Sequence, residues 1–339
     1  MAETAVASYS DLMEQYLAVS PAPGKPPRPD MVWIPGGAFT MGSDAHYPEE
    51  APAHRVSVSA CWMDRTAVTN EQFARFVNAT GYVTLAERPL DPAMYPGALP
   101  ELLVPGGLVF TKPPGRVDLR HIGNWWAYVP GASWSKPLGL DSSIEGLEDH
   151  PVVQIAYEDA EAYAKWAGAE LPTEAEWEFA ARGGLEGAEF AWGAELMPDN
   201  KPMANFWQGE FPWQNLRLDG YERTAPVASF PPNGYGLFEM AGNVWEWTSD
   251  WYREHKLAPV AQKACCAPKN PRGGSIDQSY DKRQPEIKIP RRVLKGGSHL
   301  CAPNYCRRYR PAARYPQQID TATSHVGFRC IVRAGMTQI

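Results

Sequence analysis

Residues 171–184 read LPTEAEWEFAARGG. Thr173 and Glu176 stand three apart, the spacing at which each side chain accepts a hydrogen bond from the other residue's backbone N–H. Gly183-Gly184 follow, and glycine ends a helix because it takes the left-handed conformation freely. The stretch therefore predicts a short helix with both ends marked. The same punctuation recurs outward from it. Thr69-Asn70-Glu71-Gln72 opens a helix that ends before Gly81, and residues 158–167 predict another, closed by Gly168. Between helices the apolar period drops to two. Residues 31–43, MVWIPGGAFTMGS, begin with a short strand stopped by Pro35-Gly36-Gly37. Val56, Val58, Ala60 and Trp62 share one face of a strand, with Cys61 on the other. Val326, Phe328, Cys330 and Val332 form a late strand with Cys330 on the apolar face. The fold class is α+β, built from short elements.

Composition agrees. The 339 residues include 29 glycines and 33 prolines, and proline stands at about twice its average usage. Both residues interrupt regular ladders, so a loop-rich chain is expected. Thirteen tryptophans supply apolar area in compensation. With 44% hydrophobic and 21% charged residues the chain is no general case of disorder. A net charge of -7 counts against a nucleic-acid partner. No apolar run approaches the roughly 18 residues of a membrane helix, and the N-terminus lacks the basic-then-apolar order of a secretory signal. A cytoplasmic monomer is expected. Residues 1–30 end in SPAPGKPPRPD and read as a flexible Pro-rich tail, leaving residues 31–335 as a single domain. Residues 83–150 show little periodicity and should be ordered by packing of Trp, Tyr and Pro. The six cysteines, Cys61, Cys265, Cys266, Cys301, Cys306 and Cys330, are too few for a disulfide scaffold of this size.

Residues 292–314, RVLKGGSHLCAPNYCRRYRPAAR, carry the most chemistry. Cys301 and Cys306 are five apart. On a strand they face opposite sides, and on a helix they lie about 140° apart. They converge only if the chain turns back, and Ala302-Pro303-Asn304 is turn chemistry. Two converging thiolates make a soft site suited to Cu(I). They equally suit a disulfide across the turn, and the spacing alone also fits two unrelated core thiols.

The chain resembles the formylglycine-generating, sulfatase-modifying enzymes over nearly all of residues 31–333. The matching pieces are MVWIPGGAFTMGS, AVTNEQFARFVNATGY, LPTEAEWEFAARGG, ANFWQGEFP, PPNGYGLFEMAGNVWEWTSDW, RVLKGGSHLCAPNYCRRYRPAAR and SHVGFRC. LPTEAEWE, GNVWEW and GFR belong to a wider superfamily and speak for fold. GGSHLCAPNYCRRYR speaks for activity, because both cysteines stand where catalytic members carry theirs. The resemblance implies a variant of the C-type-lectin-like fold. It implies that Cys301 and Cys306 hold Cu(I) as a bis-thiolate, that the substrate cysteine joins as a third thiolate, and that Ser298 helps to position substrate thiol or oxygen. With dioxygen as oxidant, a hydrogen would leave the substrate β-carbon and the thioaldehyde would hydrolyse to the aldehyde of formylglycine.

The implied partner is an unfolded sulfatase stretch bearing Cys-x-Pro-x-Arg. Trp125, Trp126 and Trp245 are candidates for an aromatic wall, and Asp91 and Glu87 for pairing the substrate arginine. Ala67 stands where some relatives carry an acid, so that pocket is expected to be built differently here. Structural Ca²⁺ is implied at two places. One uses Asn205, Asp219 and the carbonyls of Phe206 and Tyr221; the other uses Glu239, Glu246 and the carbonyls of Gly242 and Val244. His299 and His325 flank matched motifs and are further candidates to line the site. Cys61, Cys330 and Cys265-Cys266 read as structural or incidental, and Arg307, Arg308, Arg310 and Arg314 as partners of internal ion pairs. Two other classes fit less well. An iron-dependent sulfoxide synthase of the ergothioneine type needs a histidine-rich helical domain, and His46 and His54 lie on no predicted helix. A pure binding module on the lectin-like scaffold has no need of the two thiols.

Overall fold

The computed structural model describes residues 22–255 and 267–334. Helix α1 (Asn70–Thr80) opens on the predicted capping box. Thr69 Oγ1 accepts from Gln72 N at 3.2 Å and Gln72 Oε1 from Thr69 N at 3.0 Å, and Gly81 closes the helix at φ 68°. Helix α2 (Tyr157–Trp166) begins one residue earlier than its sequence pattern indicated, because the Asp159 carboxylate accepts from Ala156 N at 2.9 Å. Helix α3 (Glu174–Arg182) carries the second capping box and ends at Gly183, φ 55°. Every residue of α3 is buried. Four of them are charged, and a buried charge is tolerated only when paired. Glu174 meets Arg314, Glu176 meets Arg333, and Glu178 lies between Lys295 and Arg182. These pairs tie α3 to the C-terminal third of the chain.

The strands are short. In chain order they are β1 (Met31–Ile34), β2 (Gly37–Met41), β3 (His54–Val58), β4 (Cys61–Asp64), β5 (Gly106–Phe110), β6 (Trp126–Pro130), β7 (Trp245–Trp251), β8 (Arg291–Lys295), β9 (Arg314–Gln318), β10 (Val326–Gly327) and β11 (Ile331–Arg333). They form a three-stranded sheet β1-β4-β11, a four-stranded sheet β10-β7-β8-β9, and the hairpins β2-β3 and β5-β6. The single strand expected from Val56 to Trp62 is broken at Ser59-Ala60, where the chain passes from pairing with β2 to pairing with β1. The break shifts the side-chain alternation. Cys61 and Met63 therefore join Val56 and Val58 in one apolar cluster, and Trp62 enters the other. The late strand is also split, into β10 and β11, yet Val326, Phe328, Cys330 and Val332 share one cluster as their alternation indicated. The hairpin β5-β6 lies inside the stretch that showed no period.

The larger cluster centres on Phe73, Tyr163, Trp247 and Phe328, and the second on Trp177, Phe179 and Leu237. Arg329 joins them. Its guanidinium is fully buried, bidentate on Glu246 at 2.8 Å from each nitrogen, and bonded to the Phe238 carbonyl at 2.9 Å. Part of the segment assigned to the tail is docked: Arg28 pairs with Asp64, and the Asp30 carbonyl accepts from Arg65 N at 2.9 Å. Residues 1–21 and Cys265-Cys266 lie outside the described residues. Among the described residues, no helix is long and apolar enough to cross a membrane.

Candidate active site

The thiol turn leaves the end of β8 through Gly296 and Gly297, both at positive φ. A Cβ on Gly297 would stand 2.6 Å from the Arg308 carbonyl, so only glycine lets the two arms of the turn approach. Cys301 N donates to the Ser298 carbonyl at 2.9 Å. Tyr305 N and Cys306 N both donate to the Ala302 carbonyl, at 3.1 and 2.9 Å. The chain thus reverses at Ala302-Pro303-Asn304, and the two sulfurs meet at 3.3 Å. A disulfide would hold them at about 2.05 Å, so the pair is a dithiol sharing a hydrogen bond. Cys301 is buried and Cys306 half-buried. Burial pushes the Cys301 thiol well up. The hydrogen bond from Cys301, and then the Arg308 guanidinium, pull the Cys306 thiol down against its own burial. The outer sulfur is therefore the more readily ionised and the more nucleophilic of the two.

Arg308 is the residue that the sequence left out of the site. Its Nη1 lies 3.6 Å from Cys306 Sγ, its other arm pairs with Glu49, and its guanidinium stacks 3.8 Å over Tyr47. An arginine two positions after the second cysteine was the available signal. The ion-pair reading holds for its neighbours: Arg307 meets Glu189, Arg310 meets Glu50 and Arg314 meets Glu174. Ser298 is fully buried beside Cys301. Its backbone N–H donates to Cys301 Sγ at 3.5 Å, and its hydroxyl accepts from Leu300 N at 3.2 Å, leaving its own proton to be donated.

The aromatic candidates separate. Tyr305, stacked on Phe211 at 4.5 Å, is the exposed ring next to Cys306, and Trp125 stands edge-on behind it at 5.6 Å, itself buried. Trp126 is half-buried and packs on His325 at 4.8 Å. Trp245 belongs to the main core. Asp91 caps an exposed 3-10 turn through Ala93 N, and Glu87 closes a capping box on Thr84; among the described residues neither contacts the thiols. Ala67 sits in a small apolar cluster with Val153 and Val244. His299 is buried on the Asn243 carbonyl at 2.8 Å.

His325 is half-buried, with Nδ1 on Thr323 Oγ1 at 2.6 Å. Burial, and less so the neighbouring His299, hold its imidazole down at about 3. An unfolded histidine titrates near 6.5, so over that window the native state binds fewer protons and stability is lost as pH falls. Between pH 6 and 4, His325→Gln should flatten the slope of unfolding free energy by up to ~1.4 kcal/mol per pH unit. Urea unfolding of both proteins across that range measures it, and identical slopes reject the assignment.

The two oxygen sets differ in how they suit a hard cation. Gln208 Nε2 donates both to Asp219 Oδ2, at 2.8 Å, and to the Phe206 carbonyl, so those oxygens converge. Asn205 uses its amide nitrogen on the Arg223 carbonyl and Asn243, leaving its oxygen. Burial raises the Asp219 carboxyl, and among the described residues it has no cationic partner. This set fits Ca²⁺. The second does not. Glu246 is taken on both oxygens by Arg329 and again by Trp177 Nε1 at 2.7 Å, and Glu239 accepts from Ala228 N and Phe230 N. The dithiol fits a soft monovalent ion by donor chemistry, two sulfurs converging with one half-exposed.

The fold is an α+β variant of the C-type-lectin-like class. Pseudomonas aeruginosa PvdO shares it with a TM-score of 0.59 at 22% identity, over 90% of this chain and 94% of that one. Treponema denticola variable protein 1 shares it at 0.51, with 19% identity over 90% and 95%. The profile of the sulfatase-modifying factor enzyme 1-like domain matches residues 17–334, and the chain belongs to that family. It is 54% identical to the formylglycine-generating enzyme of Mycobacterium tuberculosis, over 89% of this chain and 97% of that one. It is 43% identical to the Bos taurus enzyme of the same name, over 91% and 76%. A Mus musculus relative, 36% identical over 91% and 87%, is named an inactive form, so membership alone does not decide activity.

Proposed function

We propose that the chain converts the cysteine of a Cys-x-Pro-x-Arg motif, in an unfolded stretch of a sulfatase, into Cα-formylglycine, with dioxygen as acceptor and Cu(I) held by Cys301 and Cys306. The observation that carries the reading is the meeting of the two sulfurs at 3.3 Å, one buried and one half-exposed. Copper supplies the one-electron and dioxygen chemistry that side chains lack. The protein's own groups do the rest. Cys306 presents the ionised sulfur. Arg308 balances its charge from 3.6 Å. The Ser298 N–H fixes Cys301 Sγ, and the Ser298 hydroxyl donates its proton towards the incoming thiol or oxygen. Tyr305 and Trp126 offer aromatic surface for the peptide and its proline. The high relatedness to enzymes named for this activity supports the same chemistry here.

An oxygen electrode tests the reading. Oxygen uptake should require copper-loaded protein and a thiol peptide together, with one Cu(I) bound per chain. Uptake that is independent of copper, or none with copper verified, rejects it. Asn205, Asp219, Phe206 and Tyr221 are proposed to hold a structural Ca²⁺. Calcium should then raise the Tm of the wild type and leave that of Asp219→Asn unmoved; equal responses remove the site.

A further inference from the structure

Strand β9 is hydrogen-bonded to β8 on one side and, among the described residues, to no strand on the other. Its register pairs Arg292 with Gln317 and Val293 with Pro316, and Ile319 N donates to the Pro290 carbonyl at 3.1 Å one step beyond. Bonded and unbonded pairs alternate along an antiparallel ladder. Ile319–Pro290 and Gln317–Arg292 are bonded pairs, so the N–H of Gln318 and the carbonyl of Pro316 point outward. They face a cleft of about 970 Å³, of which Tyr315, Pro316, Gln317 and Gln318 form part of the wall. Arg308 also lines that cleft, and the same guanidinium lies 3.6 Å from Cys306 Sγ. Arg308 therefore joins the wall of the cleft to the thiol pair, although neither cysteine is itself part of that wall.

We propose that this cleft takes the polypeptide flanking the target cysteine, in extended form, as an added strand along β9. The inference rests on the function proposed above. An outward N–H and C=O on a strand edge are what an extended backbone pairs with. The other lining groups are amides and charges of both signs, several of the charges already paired with each other, Glu49 with Arg308 among them. Gln278, Gln284 and Gln317 carry amides that donate or accept, and Asp281 is already paired with Arg283 and Arg291. Pro316 has no N–H to offer on the outer edge, which limits sheet-to-sheet pairing with another copy while leaving its carbonyl for a peptide.

The test is binding, measured by fluorescence anisotropy with serine in place of the target cysteine. A hexapeptide with the motif alone is compared with a peptide carrying about ten further residues on each side. The longer peptide should bind about tenfold more tightly, the gain expected of two backbone hydrogen bonds. Gln318→Pro, which removes the outward N–H, should abolish that gain, and Gln318→Ala, which keeps it, should restore it. N-methylation of the flanking backbone should abolish the gain with wild-type protein, independently of any folding defect in a variant. Equal affinities for the two peptides overturn the proposal, as does a gain that survives both Gln318→Pro and N-methylation. Hexapeptide turnover is scored separately. Absent turnover with Gln318-dependent binding intact counts against the activity and not against the cleft.

Discussion

Cys306→Ser should lower kcat/KM for a motif peptide by more than about a hundredfold, beyond the 10–100-fold that outer-shell partners of a metal cost. The fold should remain intact. Cys306 is half-buried at the turn, and the reversal rests on backbone bonds to the Ala302 and Ser298 carbonyls that a serine leaves in place. The Tm should move by no more than about 2 °C, the shift of roughly 1 kcal/mol. Cys301→Ser is the informative contrast. That sulfur is 2% exposed and packs in the main core, so the hydroxyl should lower stability by ~1–3 kcal/mol as well as stopping turnover. Steady-state kinetics and thermal melts on the two variants separate the effects. A Cys306→Ser protein with wild-type turnover would exclude the outer sulfur from the chemistry.

Arg329→Met should produce the largest loss of stability, ~3–5 kcal/mol, or on the order of 6–15 °C in Tm. The arginine is fully buried and bonded at once to Glu246 in β7 and to the Phe238 carbonyl, so it joins β7 to the segment before it. Removing it strands the Glu246 carboxylate without a cation. The double variant Arg329→Met, Glu246→Gln should recover part of the loss, because no buried charge is then left unpaired. Urea unfolding of the three proteins measures both steps. A loss below ~1 kcal/mol in the single variant would show that water or another group neutralises Glu246.

What could be read from the chain was what local chemistry determines. The capping boxes at Thr69 and Thr173 and their closing glycines placed α1 and α3, because donor, acceptor and stop all lie within one short window. The thiol turn was legible for the same reason, from two cysteines around Ala302-Pro303-Asn304. What stayed hidden depends on distant partners. The break at Ser59-Ala60 exists because β4 pairs with β1 and β11 while β3 pairs with β2. The strand Gly106–Phe110 shows no alternation because both of its faces are largely buried. Trp125 and Trp245 were indistinguishable from groove residues until their packing was known, and Glu246 looked like a free oxygen donor until Arg329 was found on it. Arg308 read as a partner in an internal ion pair, which it is, with Glu49; only the fold brings its second arm to Cys306.

The most direct test of the central claim is mass spectrometry of a short Leu-Cys-x-Pro-Ser-Arg peptide after aerobic incubation with copper-loaded protein, with a hydrazide to trap aldehyde. The account predicts that the cysteine is converted to a hydrazide-reactive formylglycine, and that the product disappears without oxygen and with Cys306→Ala. An unmodified peptide, with one copper per chain verified, would contradict it.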